Sequence, residues 1–174
     1  MGPMDRPPTT LVIGLGNPLR GDDGIGPAVV AALRPEGSRL TLIESAGNDL
    51  VEWLASDEFD RILIVDAADF GRAPGSWVRL TSDRLAASEG GLCHGLGLVE
   101  ALDLLRALGL RPPPITIFAV QPAAVAWGPG LSLEARRAVA ALASAIRDEL
   151  AHPDREGQVS GQTRKSVACP AGAG

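Results

Sequence analysis

The run Leu11-Val12-Ile13-Gly14-Leu15-Gly16-Asn17-Pro18-Leu19-Arg20-Gly21-Asp22-Asp23-Gly24-Ile25-Gly26 constrains what this chain folds into more than any other stretch. An apolar segment stops in glycines and a proline and resumes after two adjacent acids. That pattern reads as a buried strand over 10–15, a tight irregular loop, and a helix over 24–33 returning across a sheet. Glycines at such a turn let the backbone approach a ligand or substrate chain closely. Most glycine-rich loops in this position cradle phosphate, which Asp22 and Asp23 would repel.

The rest of the chain continues the alternation. Segments 39–44 (RLTLIE), 61–66 (RILIVD) and 115–120 (ITIFAV) read as strands, and the second is apolar throughout, as a strand covered on both faces is. Segment 76–80 (SWVRL) follows a short turn-rich connection and reads as an antiparallel neighbour. Helices are expected over 48–55, with Asn48 as N-cap, over 95–108, with Leu98, Val99, Leu102, Leu105 and Leu108 on one buried face, and over 133–150. The last starts from Ser132 as N-cap, has Glu134 in its first turn, and buries Ala135, Val139, Leu142, Ile146 and Leu150. The fold class is therefore α/β, a three-layer α/β/α arrangement with a mostly parallel twisted sheet of about five strands and helices on both faces. Sites in such folds lie outside the carboxyl ends of the strands. Asp22 and Asp23 follow the first strand and Asp66 ends the third. The loop bearing His94 joins them if it returns over the same edge.

With 174 residues the chain is one domain's worth, expected over 10–150, with residues 1–9 and 151–174 disordered. The core has to be built from Leu, Val, Ile and Ala, because only 3% of residues are aromatic and none is tyrosine. A net charge of −5 with scattered cations argues against a nucleic-acid surface or a polybasic membrane contact. Lys165, in the tail, is the only lysine, which excludes mechanisms that need one buried in the domain. No apolar stretch reaches the roughly 18 residues of a membrane span and the N-terminus lacks an apolar leader region. Cys93 and Cys169 lie far apart in dissimilar segments, so a reducing, cytoplasmic location is expected.

Two carboxylates about 5 Å apart repel by roughly 3 kcal/mol at an effective dielectric near 20. A divalent cation removes that conflict, and two carboxylates plus an imidazole suit Ni, Zn, Mn or Fe. Three protein ligands leave positions open for substrate or water, as in a reactive metal site. By position alone Asp23 reads equally as a solvated loop acid or helix cap, Asp66 as a strand-end acid bonded to the Asn17 loop, and His94 as an exposed or capping histidine. Asp22 reads as an acid that caps or orients the loop, Asp69 as a turn residue, Cys93 as a small buried hydrophobe, and Gln121 and Trp127 as candidates to line a peptide groove, Trp127 alternatively as a packing residue.

Taken in order, the motifs narrow this. Gly14-x-Gly16-Asn17-Pro18-Leu19-x-Gly21-Asp22-Asp23-Gly24-x-Gly26, then Ile64-Val65-Asp66-Ala67-Ala68-Asp69-Phe70-Gly71 with Pro74-Gly75, then His94-Gly95-Leu96-Gly97-Leu98, then Val120-Gln121-Pro122, resemble the hydrogenase maturation endopeptidase family over about 11–150. The resemblance implies an enzyme that removes the C-terminal extension from the precursor of a nickel-iron hydrogenase large subunit. It implies Asp23, Asp66 and His94 as catalytic and metal-contacting residues, Asp23 standing where the family often has Glu. It implies that nickel arrives with the substrate and is read before cutting, other divalent metals filling the site in isolation. Gly16, Asn17, Gly21, Asp22 and Gln121 are the expected substrate groove, and the protein is expected to act as a monomer.

Three rival readings are weaker. A dinucleotide-binding domain lacks its third glycine, since Leu19 stands in that place. A receiver-like signalling domain would carry a lysine after the last strand, where Gln121-Pro122 stands. A serine or cysteine protease would need a G-x-S-x-G elbow, or a cysteine better separated from its base than Cys93 is from His94.

Overall fold

The computed structural model describes residues 8–33, 39–82 and 97–152. Within them lies a five-stranded sheet in the order β2-β1-β3-β5-β4, made of β1 (Thr10–Leu15), β2 (Leu40–Ser45), β3 (Arg61–Ala67), β4 (Trp77–Thr81) and β5 (Ile115–Val120). β1 pairs in parallel with both β2 and β3, β3 pairs in parallel with β5, and β4 closes the edge antiparallel to β5. The expected mostly parallel sheet with one antiparallel strand is what forms. Chain order reverses around β1, so the crevice for a ligand opens at the carboxyl ends of β1 and β3.

Alternation along the central strands feeds two cores. Leu11, Ile13, Ile62, Ile64 and Ile117 face one side, where they pack against Leu50 and Leu54 of α2 (Leu50–Ala55) and Leu98, Leu102 and Leu105 of α3 (Gly97–Ala107). Val12, Leu63, Val65, Phe118 and Val120 face the other, against Val29 and Val30 of α1 (Ile25–Ala32) and Leu142 and Ile146 of α4 (Leu133–Ala151). Strands buried on both faces need apolar residues at every position, which is why β3 shows no polar alternation until Asp66.

Three local expectations need correction. α2 begins at Leu50 with Asp49, not Asn48, in the N-cap position, and the Asp49 side chain makes no cap bond but accepts from the Ser45 hydroxyl and the Trp53 indole. α3 buries Ala101 where Val99 and Leu108 were expected, because its contact face turns toward α2 and leaves those two exposed. α1 is preceded by a 3-10 turn, Gly21–Gly24, in place of irregular loop. For α4 the reading holds: the Ser132 hydroxyl accepts the Ala135 N–H. Its last carbonyls are met by Arg61, whose guanidinium donates to Glu149 O and Leu150 O, and the Glu149 carboxylate takes both arms of Arg79 from the edge strand β4. Helix and sheet are thereby tied at the end opposite the crevice.

Candidate active site

At the carboxyl edge, β1 runs into the glycine loop through a backbone approach that excludes side chains. A Cβ on Gly26 would lie 2.2 Å from the Leu15 carbonyl oxygen, and one on Gly14 would lie 2.4 Å from that of Gly26. The first turn of α1 therefore sits directly on β1. Gly16, at φ +123°, turns the chain so that a Cβ there would strike the Asp23 carbonyl oxygen at 1.8 Å. Asn17 holds the loop: its side-chain oxygen accepts the Leu19 N–H, and its carbonyl accepts the Arg20 N–H.

The 3-10 turn sends the two adjacent acids to different places. Asp22 is buried, its carboxylate accepting the N–H groups of Ala123 and Ser132 at 2.7 Å each and the Ser132 hydroxyl at 2.8 Å. Burial pushes its pKa up, but those donors outweigh the burial and leave it below the ordinary aspartate value. Asp22 thus ties the β1–α1 loop to the β5–α4 loop, the orienting role expected of it, and offers no free oxygen to a groove. Asp23 is half-buried, and its Oδ2 accepts the Asn17 N–H at 2.9 Å.

Asp66, next to last in β3, is 3% exposed, and its Oδ2 has no hydrogen-bond partner among the described residues. Burial pushes its pKa up to about 8, the Ala67 N–H pulls against that, and the charge of Asp23 adds to the rise. Two of the expected site residues are therefore brought within electrostatic reach, one charged and one held neutral by its surroundings. A buried carboxylate oxygen without a partner among the described residues, within electrostatic reach of a second acid, is a donor set that a cation satisfies. His94 and Cys93 lie outside the described residues, as does Cys169. Among the described residues no group of three His, Cys, Asp or Glu stands ready for a metal.

Gln121 is buried and works as a clamp. Its Oε1 accepts the N–H groups of Phe70 and Arg72, and its Nε2 donates to Asp69, fixing the loop that leaves β3 just past Asp66. The Gly21 N–H donates to the Gly128 carbonyl, joining the same two loops that Asp22 joins. Of the expected groove set, Gly16 and Asn17 line an open cleft of about 290 Å³, whose other wall includes Glu44 and Ser45 at the end of β2 and Ala46 beyond it. Sequence reasoning passed over those last three, since nothing in RLTLIES marks a strand end as a cleft wall. It also missed the guanidinium of Arg20 lying 5.9 Å over the ring of Trp127, a pairing with no local signal.

A family model described as hydrogenase maturation protease matches residues 33–149, a span that takes in Asp66 and His94 and begins after Asp23. The hydrogenase expression/formation protein HupD of Rhizobium leguminosarum bv. viciae is 28% identical over 155 residues, 83% of this chain and 77% of that protein. HupD of Rhodobacter capsulatus is 29% identical over 128 residues, 69% of this chain and 60% of that protein, so this chain matches less than two thirds of its length. Among solved structures, the hydrogenase maturating endopeptidase HybD from E. coli superposes with a TM-score of 0.71 at 26% identity, covering 83% of this chain and 93% of that one.

Proposed function

This chain belongs to the hydrogenase maturation protease family, and from that premise we propose that it removes the C-terminal extension of a nickel-iron hydrogenase large-subunit precursor once nickel is in place. In this reading Asp23, Asp66 and His94 contact the nickel that the substrate carries. Nickel is cargo, and the enzyme reads its presence. No helix among the described residues is long and apolar enough to cross a membrane. In this reading the protein acts in the cytoplasm as a monomer.

The observation that supports this most is the Oδ2 of Asp66, which has no partner among the described residues, within reach of the Asp23 charge. Before substrate arrives, a proton keeps the Asp66 carboxyl neutral. Asp23 and Asp66, with His94, would hold the substrate's nickel, which would replace that proton and polarise a carbonyl or a water. Asp66, poised near neutral pH, has the affinity for a proton that a general base needs when metal contact is transient. The nucleotide-binding and receiver-like alternatives are not favoured by the family to which the chain belongs.

The test is to incubate the purified protein with precursor that has or lacks nickel, and to weigh the large subunit afterwards by mass spectrometry. Loss of the C-terminal peptide only from the nickel-loaded form is expected. Equal cutting of the nickel-free form would remove the nickel-reading role, and no cutting of either would remove the proposed substrate.

A further inference from the structure

At the carboxyl edge, the loops after β1 and β5 carry exposed apolar side chains that form a rim. Trp127 is 79% exposed, Leu19 is 58% exposed and Val125 is 41% exposed. The rim is held by backbone bonds on both sides. The Gly128 N–H donates to the Leu19 carbonyl at 2.9 Å and the Gly21 N–H to the Gly128 carbonyl at 3.0 Å, while Arg20 and Gly128 form a parallel bridge. Below it, the buried carboxylate of Asp22 clamps Ala123 and Ser132, the two ends of the β5–α4 loop. Arg20 reaches over the Trp127 ring. A large apolar side chain carried on so firmly fixed a loop keeps its contact area without losing much freedom on binding.

We infer that Leu19, Arg20, Val125 and Trp127 form a docking surface for the folded body of the protein substrate, which seats Trp127 in an apolar pocket of its own. The inference rests on the proteolytic reading above. Three observations select this occupant. The rim is continuous with the catalytic acids, because the Asp23 N–H donates to the Arg20 carbonyl within a single 3-10 turn. Its side chains stand outside the open cleft beside Gly16 and Asn17, which suits the extended chain that is cut, so the exposed rim is left to meet the body of the substrate. Its residues, a tryptophan and an arginine ringed by smaller apolar groups, are those that carry most of the binding energy in protein interfaces.

The experiment measures processing of nickel-loaded precursor by wild type, Trp127→Ala and Trp127→Phe across substrate concentration. Trp127→Ala is expected to raise KM by about tenfold or more, as truncating an interface anchor does, with kcat at saturation within about twofold of wild type. Trp127→Phe restores most of the loss, and the thermal midpoint of both variants stays at the wild-type value because the side chain packs into no core. A KM for Trp127→Ala within about twofold of wild type, or a fall in kcat with KM unchanged, overturns the docking role and leaves the proteolytic reading standing. Wild-type protein that leaves the precursor uncut overturns both.

Discussion

The pKa of Asp66 is pushed up to about 8, first by its burial and then by the charge of Asp23. Burial is the larger cause, and the Asp23 charge adds to it. The β3 strand carries Asp66 into the interior, where one of its oxygens has no partner among the described residues, and of the two adjacent acids Asp23 is near enough for its charge to act on Asp66 while Asp22 is bonded to the β5–α4 loop.

Stability follows from that arrangement with a definite sign. The folded pKa of Asp66 lies above the unfolded value of 3.8, so the native state binds the extra proton between about pH 4 and pH 8. Its carboxyl therefore costs stability progressively as pH rises through that window, at no more than about 1.4 kcal/mol per pH unit. Asp66→Asn is expected to be more stable than wild type by a margin that grows from pH 5 to pH 8, as urea denaturation at each pH would read. A margin independent of pH would show that Asp66 ionises normally.

Divalent metal binding is expected to tighten with pH over the same residue. Between pH 7 and pH 8, displacing the Asp66 proton makes the affinity for nickel rise by up to about tenfold per pH unit. Calorimetry in two buffers of different protonation enthalpy should detect close to one proton released per ion near pH 7, and almost none from Asp66→Asn.

Asp23→Asn is expected to abolish processing while leaving the fold intact. An amide oxygen still accepts the Asn17 N–H, so stability should stay within about 1 kcal/mol of wild type. The lost charge should lower the processing rate by about a hundredfold or more. Cutting by this variant at the wild-type rate would exclude Asp23 from the mechanism.

Asp22→Ala should behave in the opposite way, as a defect of structure. It strips the acceptor from two backbone N–H groups and the Ser132 hydroxyl, at a cost of about 2–3 kcal/mol. Because the folded pKa of Asp22 is lowered, its contribution is present above pH 3.8 and is lost as pH falls through the folded value. The difference between wild type and variant should therefore shrink in acid, as thermal melts from pH 7 downward would reveal.

Gly16→Ala tests the loop itself. Its Cβ would overlap the Asp23 carbonyl at a φ of +123°, which side chains rarely adopt. A penalty of about 1–3 kcal/mol and a displaced Asp23 are expected, so processing should fall more than nickel-independent measures of folding do. Unaltered processing would show that the loop reaches the site by another conformation.

The sequence by itself determined the β-α alternation, all five strands to within a residue or so, the Ser132 cap and the order of the motifs. Those are set by apolar periodicity and turn chemistry acting over a few neighbours. It left the adjacent acids Asp22 and Asp23 nearly indistinguishable, because the donor that separates them is Ser132, reached only when the β5–α4 loop folds back over the first loop. It gave no sign that Gln121 would pin the chain beyond Asp66, or that Arg20 would cover Trp127. It misplaced Val99 and Leu108 because a helix with spare apolar residues has more than one candidate buried face, and packing against α2 selects between them. The ionisation of Asp66 belongs to the tertiary structure as well, since a strand-end aspartate becomes a neutral acid when the surrounding elements exclude water, and the charge of Asp23 adds to the effect.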